Sequence, residues 1–368
     1  SRPGLRARWR AEWTSGGYRR DVETPVVGSN AKGVAVTVWR VPGGKVRSLI
    51  RGGGRGRWIV MSVPSSRPLR PGDLGTFANP DATTTASGRT SAVWSLRRGS
   101  RWSVRGAWRQ RTGQWRAAAP LATDRGTAWA PVARTTGRGA GVAVWVVARP
   151  GSESALLPSG TVRAAMRTAD GAWTPPTTLG KTAGGADAAI APDGRAVVTW
   201  SAPTSDGDGE IVLARSRAAG GWSAPTVLGP GTAPRIDVNA SGSALVAWAA
   251  PDETTGSRLR AITARPASLG PPSTLPTSGE FGPIEHHRSS RVAMSASGRG
   301  FVAWADPAGP GVTTGAAAIS TAGSVQRLRS RGDGDRELAL AADAAGNAVV
   351  LYRQATATGA ALFASSFA

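Results

Sequence analysis

The 368-residue chain is rich in Gly (49), Pro (26) and Trp (15) and contains no Cys, which excludes disulfides, thiolate metal sites and cysteine nucleophiles. This composition favours an all-β protein of short strands and many turns over a helical bundle. The formal net charge of +22 lies in residues 1–184, which hold 30 Lys and Arg against 8 Asp and Glu, whereas residues 185–368 hold 15 of each.

The chain begins with "SRPGLRARWR" (1–10), which has neither an initiator Met nor an apolar signal core. We expect the protein to be extracellular or attached to the cell envelope, with its targeting segment absent from this chain. The overlapping stretch "RARWRAEWTSGGYRRDV" (6–22) predicts a hairpin of two strands. No apolar run reaches the roughly 18 residues of a membrane-spanning helix, so we expect no membrane span.

From residue 33 onward one motif recurs seven times: a Gly followed six residues later by Trp, or by Tyr in the last copy. The copies begin 48 to 56 residues apart. A strand-like motif repeated at a period near fifty predicts a β-propeller or another repeat array. The copies are "GVAVTVW" (33–39), "GRTSAVW" (88–94), "GAGVAVW" (139–145), "GRAVVTW" (194–200), "GSALVAW" (242–248), "GRGFVAW" (298–304) and "GNAVVLY" (346–352).

Each repeat predicts four antiparallel strands, which we name A to D in chain order, as in a propeller blade. We therefore predict a seven-bladed β-propeller in which residues 1–23 form a hairpin that joins the last blade and closes the ring. The segment "ALFASSFA" (361–368) also predicts a strand C, so an extra strand or a partial eighth blade stays open. The predicted blades span about 24–80, 81–127, 128–184, 185–231, 232–288, 289–335 and 336–368.

The repeated Gly and Trp predict a structural role. Gly fits the positive-φ position of the A–B turn, and Trp fits between neighbouring blades. Because the Trp recurs in every repeat but the last, where Tyr replaces it, we favour packing over stacking on carbohydrate.

The fourth repeat, "GRAVVTWSAPTSDGDGEIVLARSRAAGGWSAPTVL" (194–228), resembles the repeats of secreted actinobacterial β-propeller proteins that are often described as sialidase-like. The resemblance implies a fold and does not imply an activity. The Asp-box of sialidases, S-x-D-x-G-x-x-W, has Gly three residues before Trp, whereas the spacing here is six. The resemblance is therefore to a sialidase-like propeller without true Asp-boxes.

The two faces of the predicted propeller differ in their connections. The A–B and C–D turns lie on one face, which we name the turn face, and the B–C and D–A loops lie on the other, the loop face. The turns are short and uniform, whereas the longest connections, 63–81, 147–161 and 275–291, all belong to the loop face. Variable loops on a rigid scaffold usually form binding sites, so we predict that the loop face binds the ligand.

Two acidic segments of the loop face resemble the first half of a calcium loop, because a hard cation prefers several carboxylate oxygens on a tight turn. Neither segment has a Glu at the EF-hand offset, so solvated acidic turns are the alternative. We predict no other cofactor. The candidate Ca²⁺ ligands are Asp206, Asp208 and Glu210 in "DGDGE" and Asp333, Asp335 and Glu337 in "DGDRE".

The candidate ligand-binding residues are basic. His286 and His287 are the only histidines; they can bind a metal or carry a proton, although a solvated loop pair is the simpler interpretation. Arg binds sulfate or carboxylate through two parallel hydrogen bonds, and clustered Arg attracts polyanions; a solvated surface is the alternative here too. The candidate arginines are Arg47, Arg97, Arg98, Arg101, Arg105, Arg109, Arg163 and Arg167.

These features predict a non-catalytic, monomeric binding or scaffold module that contacts an acidic polysaccharide, another glycan, a cell-envelope polyanion or a protein. Sequence-specific nucleic acid binding is not expected, because no recognition helix or RNA-binding motif occurs. The alternative is a sialidase-like glycoside hydrolase or a polysaccharide lyase. Glycosidases use paired acids or a Tyr nucleophile, but Tyr18 and Tyr352, the only tyrosines, both occupy positions where the repeats carry a structural Trp.

Overall fold

The computed structural model describes most of the chain from residue 26 onward. The described residues are 26–29, 35–41, 45–51, 58–62, 81–85, 87–98, 101–110, 114–117, 121–124, 127–148, 159–205, 209–218, 220–253, 256–277, 290–306, 313–328, 338–343, 345–356 and 359–367. Within these ranges every regular element is a β-strand, which confirms the all-β prediction.

The strands form seven antiparallel sheets, and in each sheet the strands follow one another in chain order. The first three sheets contain β1 (Val26–Ser29), β2 (Ala35–Val41), β3 (Lys45–Arg51) and β4 (Trp58–Ser62); β5 (Asp81–Thr84), β6 (Thr90–Arg98), β7 (Arg101–Arg109), β8 (Arg116–Ala117) and β9 (Ala122–Asp124); and β10 (Thr127–Thr135), β11 (Gly141–Ala148), β12 (Gly160–Arg167) and β13 (Thr177–Thr182). In the second sheet both β8 and β9 pair with β7, so the outer strand consists of two short pieces.

The remaining four sheets repeat this arrangement. They contain β14 (Ala186–Ile190), β15 (Ala196–Pro203), β16 (Gly209–Arg215) and β17 (Thr226–Pro230); β18 (Thr232–Val238), β19 (Ala244–Asp252), β20 (Gly256–Ala264) and β21 (Ser273–Thr274); β22 (Ser290–Met294), β23 (Gly300–Asp306), β24 (Thr313–Ile319) and β25 (Val325–Leu328); and β26 (Leu338–Ala342), β27 (Ala348–Thr356) and β28 (Gly359–Phe367).

The repeated glycines form the A–B turns, as predicted. Six of them have φ between +79° and +101°, a backbone conformation that Gly adopts without steric cost. In the fourth sheet the N–H of Gly194 donates to the carbonyl of Ala191 at 2.9 Å, and the other five turns have the same bond. Gly33, in the first copy, lies outside the described residues.

The repeated tryptophans form the contacts between sheets. Trp94, Trp145, Trp200, Trp248 and Trp304 are at most 3% exposed. Trp200 packs with Val144 and Val162 of the preceding sheet. The packing is close enough that a Cβ at Gly180 of the third sheet would lie 3.2 Å from Cζ2 of Trp200 in the fourth sheet. The prediction that these tryptophans are structural is confirmed.

The first strands of the seven sheets lie side by side in chain order, from β1 to β26. We call these β1, β5, β10, β14, β18, β22 and β26 the inner strands. Apolar clusters join each described sheet to the next, which is the face-to-face packing of propeller blades.

The C-terminal segment fills the third position of the seventh sheet. Strand β28 pairs with β27 along its whole length, with Phe363 opposite Tyr352. The predicted closing hairpin, residues 1–23, lies outside the described residues. If it joins this sheet, only the outer position is left for it. Across the described ranges we find no helix able to cross a membrane.

Candidate functional site

Six charged residues lie on the inner strands of five consecutive sheets: Asp81, Arg134, Asp187, Arg235, Asp237 and Arg291. We call them the inner-strand cluster. Strand register arranges them in two layers. The first layer pairs with the residue that precedes the repeated Trp of each sheet. It contains Asp81, Asp187, Arg235 and Arg291. Two residues further along the inner strand, Arg134 and Asp237 form the second layer.

The carboxylates of the cluster bind the inner strand of another sheet. Asp81 Oδ2 accepts a hydrogen bond from the backbone N–H of Ala133 at 2.9 Å. Asp237 Oδ2 likewise accepts one from the N–H of Met294 at 2.8 Å, and Asp187 Oδ2 accepts one from the N–H of Ile236 at 3.2 Å. The inner edge of each sheet would otherwise leave backbone N–H groups unpaired. Because the carboxylates accept hydrogen bonds from these groups, they link successive sheets.

Arg134 bridges two of these carboxylates. Its Nη1 donates to Asp81 Oδ2 at 2.6 Å, and its Nη2 lies 3.4 Å from Asp187 Oδ1. The Arg134 side chain is 33% exposed and that of Asp187 only 4%. Burial opposes the charge on Arg134, but the carboxylates of Asp81 and Asp187 outweigh it and raise the pKa of the guanidinium above its usual value.

Arg235 and Arg291 experience the opposite balance. Burial lowers the pKa of Arg291 to about 10, and repulsion from Arg235 adds to this effect. Burial also lowers the pKa of Arg235, although the carboxylate of Asp187 acts against it. Both residues are only partly buried. Two neighbouring guanidiniums are thus less stable as cations than in water, and an anion beside them would offset that cost.

Burial strongly affects the carboxyl of Asp237. Burial raises its pKa to about 6, although hydrogen bonds from the backbone N–H groups of Met294 and Val238 and the charge of Arg134 act to lower it. A carboxyl with such a pKa changes charge close to neutral pH and can exchange a proton there.

A backbone irregularity precedes Arg235. The register of β18 shifts between Thr232 and Arg235, and Ala233 in this bulge has φ +55°, which costs a non-Gly residue roughly 1 kcal/mol. Ala233 is completely buried. Bulges redirect side chains and occur often beside functional sites, so the strain marks this segment as specifically shaped.

Three candidate arginines pair with repeated tryptophans across neighbouring strands. Arg47 pairs with Trp39, Arg105 with Trp94 and Arg163 with Trp145 across strands B and C. Arg105 and Arg163 are half-buried, and Nε of Arg105 donates to Ser103 Oγ at 3.3 Å. Register and burial favour a structural role for Arg105 and Arg163; a role of all three arginines in ligand binding stays a prediction.

Arg109 and Arg167 lie at the turn-face ends of β7 and β12, and they are only 5% and 6% exposed. The guanidinium of Arg167 lies 4.9 Å from the ring centre of Trp108 and donates to Ser91 Oγ at 3.3 Å. Burial lowers the pKa of both arginines. In this conformation neither guanidinium is available to a polymeric ligand.

The other candidates are only partly described. Arg101 is exposed at the start of β7, opposite Arg98, and Arg97 pairs with Trp102. Glu210 lies half-buried on β16. Among the described residues no group of three His, Asp or Glu side chains could hold a metal ion. Outside the described residues lie His286, His287, Asp206, Asp208, Asp333, Asp335 and Glu337.

Arginines on the turn face bind backbone carbonyls of the next sheet. Arg89 Nη1 donates to the carbonyl of Arg138 at 2.6 Å, and Arg265 Nη2 donates to that of Thr321 at 3.1 Å. Arg215 donates to the carbonyls of Gly242 and Ala264, both at 2.8 Å. We call Arg89, Arg215, Arg265 and Arg299 the turn-face arginines.

The inner-strand cluster is not among the sites predicted from the sequence. A signal was present, since "RIDV" (235–238) and "RVAM" (291–294) carry charges in predicted inner strands that are otherwise apolar. A buried charge is retained only when it is paired or has a function.

The fold resembles several solved structures. They include polysaccharide lyase Uly1 (TM-score 0.58, 8% identity, covering 93% of this chain and 89% of that one) and an ulvan lyase bound to an oligosaccharide of glucuronate and rhamnose 3-sulfate (0.55, 11%, 92% and 90%). A puromycin hydrolase mutant is also similar (0.53, 18%, 93% and 51%). At such identities the similarity shows the fold alone. No protein-family model matches the chain, and no curated protein matches it significantly.

Proposed function

We propose that the protein is a non-catalytic β-propeller module that binds an anionic glycan on its loop face. The observation that carries the proposal is the pair Arg235 and Arg291, two partly exposed arginines that occupy the same register position on adjacent inner strands. Inner strands begin at the loop face, and Arg291 is the second residue of β22. A carboxylate or sulfate of the glycan would stabilise both charges.

Two further observations support an anionic glycan. The predicted long D–A connection carries His286 and His287 only a few residues before Arg291 in the sequence. We therefore expect the variable part of the loop face to adjoin the cluster. In addition, the ulvan lyase of similar fold is bound to a glycan that carries both carboxylate and sulfate.

The proposed scaffold is a closed ring of seven blades. The seven sheets in chain order support it, and residues 1–23 would supply the missing outer strand of the seventh sheet. The expected result of deleting residues 1–23 is a clearly lower melting temperature, measured by circular dichroism, because the outer edge of β28 is then unpaired. An unchanged melting temperature would contradict this mode of closure.

The binding proposal is tested by a glycan and polyanion array at two salt concentrations, followed by calorimetry with the strongest ligand. Replacing both Arg235 and Arg291 by Gln should weaken binding at least about tenfold, since two charge-assisted contacts are lost. The control is Arg265→Gln on the turn face, which should bind like the parent protein. Equal binding by the double variant, or no preference among neutral and anionic ligands, would overturn the proposal.

A second candidate function is a polysaccharide lyase or glycoside hydrolase. The specific observation in its favour is Asp237, whose pKa of about 6 suits proton transfer near neutral pH. Incubation with sulfated and uronate-containing polysaccharides, followed by size analysis of the products, distinguishes the two functions. Cleavage by the parent protein that is lost in Asp237→Asn, while binding persists, would show that the protein is an enzyme and not a non-catalytic module.

A further inference from the structure

A cleft of about 300 Å³ opens on the turn face of the sixth sheet, between its A–B and C–D turns. None of its described lining residues is acidic, and most carry a hydroxyl, amide or guanidinium group. They are Ser297, Arg299, Ala318, Ser320, Thr321, Ser324 and Gln326.

The small side chain of Ala318 forms part of the cleft wall. Ala318 pairs with Phe301, and the same register position holds a larger side chain in the second to fifth sheets: Trp108, Met166, Arg215 and Thr263. In the fourth sheet Arg215 extends from this position to the carbonyls of the next sheet. The sixth sheet lacks that side chain, and the space stays open.

The A–B turn beside the cleft also differs in charge from the A–B turn of the fourth sheet. There Arg195 follows the turn glycine, and its Nε lies 2.6 Å from Asp193 Oδ2 in the same turn. Arg299 occupies the equivalent position in the sixth sheet, but Ser297 replaces the Asp. An uncharged hydroxyl, which bonds to Ser295 Oγ at 2.8 Å, thus stands where the fourth sheet has a carboxylate.

Arg299 is held in a fixed orientation. Its Nη2 donates to Gln326 Oε1 at 3.0 Å, and its Nη1 lies 3.5 Å from the carbonyl of Gly346. The guanidinium also lies 5.3 Å from the ring centre of Phe301. These contacts orient the arginine in advance, which reduces the entropy that a ligand must overcome on binding.

We propose that this cleft binds the oxyanion group of a small ligand, a sulfate or carboxylate, in the position that the Asp193 carboxylate takes in the fourth sheet. Arg299 supplies the charge and the N–H donors, and the hydroxyl groups of Ser297 and Ser324, which bond to those of Ser295 and Ser320, line the site. The volume exceeds that of a bare ion, so a sugar that carries the oxyanion fits the cleft. The inference does not depend on the proposed function, because the two sites lie on opposite faces.

The probes are inorganic sulfate, glucose 6-sulfate, glucuronate and glucose. In amide NMR titrations the signals of Gly298 and Gly323, which flank the cleft, should shift with the three anions and not with glucose. The signals of Gly194 and Gly220 in the fourth sheet should stay unchanged. The relative affinities of free sulfate and glucose 6-sulfate identify whether the ligand is the ion or the sugar-linked group.

Two variants test the cleft itself. Arg299→Gln should weaken binding about tenfold or more through loss of the charge, and Ala318→Met, which restores the residue of the third sheet, should abolish binding by filling the space. Arg195→Gln is the matched control and should bind like the parent. The proposal is overturned if glucose binds as well as the anions, or if Arg299→Gln and Ala318→Met bind glucose 6-sulfate like the parent while their melting temperatures show intact folding.

Discussion

The turn face and the inner strands use arginine in different ways. On the turn face, Arg215 and Arg265 donate to neutral backbone carbonyls of the next sheet. On the inner strands, Arg134 binds two carboxylates, which also accept bonds from backbone N–H groups. An arginine-rich sequence therefore does not by itself indicate a binding surface, because arginines such as Arg215, Arg265 and Arg134 join one sheet to another.

The inner-strand cluster is the more sensitive of the two regions. Its groups are partly enclosed, so each charge depends on its partners, whereas a turn-face arginine exchanges a bond to a carbonyl for a bond to water. Substitutions in the cluster should therefore have larger and more pH-dependent effects than substitutions on the turn face.

The largest effect is expected for Arg134→Met. This change leaves the carboxylates of Asp81 and Asp187 without their shared cation, and it should lower the free energy of unfolding by about 2–4 kcal/mol, somewhat less than for a fully buried pair because water reaches the site. Urea unfolding at pH 7 measures it. A loss below about 0.5 kcal/mol, which is typical of a surface ion pair, would remove the distinction between the two regions.

Asp237→Asn should change how stability depends on pH. The pKa of Asp237 in the folded protein is about 6, above the unfolded value of about 3.9. The folded state therefore holds its proton more tightly, and the parent protein loses stability as pH rises from about 4 to about 6. The free energy of unfolding of Asp237→Asn should rise relative to the parent by about 1–2 kcal/mol across this interval, since partial exposure reduces the full linkage value.

Urea unfolding of both proteins at several pH values between 4 and 7 gives this difference, with Glu253→Gln, at an exposed acid, as the control. If the difference in free energy of unfolding between the parent and Asp237→Asn is independent of pH, the pKa of Asp237 is not raised in the folded protein.

A smaller effect is expected for Arg215→Met on the turn face. The variant keeps the apolar stem but loses the bonds to Gly242 and Ala264, and the free energy of unfolding should fall by about 1 kcal/mol. Thermal unfolding measures the change. A loss as large as that of Arg134→Met would show that the turn-face bonds matter as much as the cluster.

The sequence predicts the scaffold well because the same turn Gly and buried Trp, or Tyr in the last copy, recur in each repeat. Gly194 and Trp200 form a turn and a buried contact that depend on local spacing, and this spacing recurs in every copy. The position of β28 was left open, since a strand at a chain end can pair with either of two sheets.

The site was less predictable, for a physical reason. Arg134, Asp187 and Arg291 are about fifty or more residues apart in the sequence, and only the packing of inner strands brings them near one another. The candidate arginines Arg105 and Arg163 formed a visible pattern, but that pattern reflects their register opposite Trp94 and Trp145. Sequence alternation shows which residues share a face of a strand, and it does not show what covers that face.

On the loop face we expect Arg235 and Arg291 to bind the anionic glycan, whereas Arg215 and Arg265 of the turn face, which bind backbone carbonyls, do not contact it. NMR of the arginine Nε–Hε groups, assigned with the single variants Arg235→Gln and Arg291→Gln, tests this expectation most directly during titration with a sulfated, uronate-containing oligosaccharide. The account predicts that the signals of Arg235 and Arg291 shift together with saturation, while those of Arg215 and Arg265 do not move. Saturable shifts confined to Arg215 and Arg265, or saturable binding that leaves Arg235 and Arg291 unchanged, would contradict it.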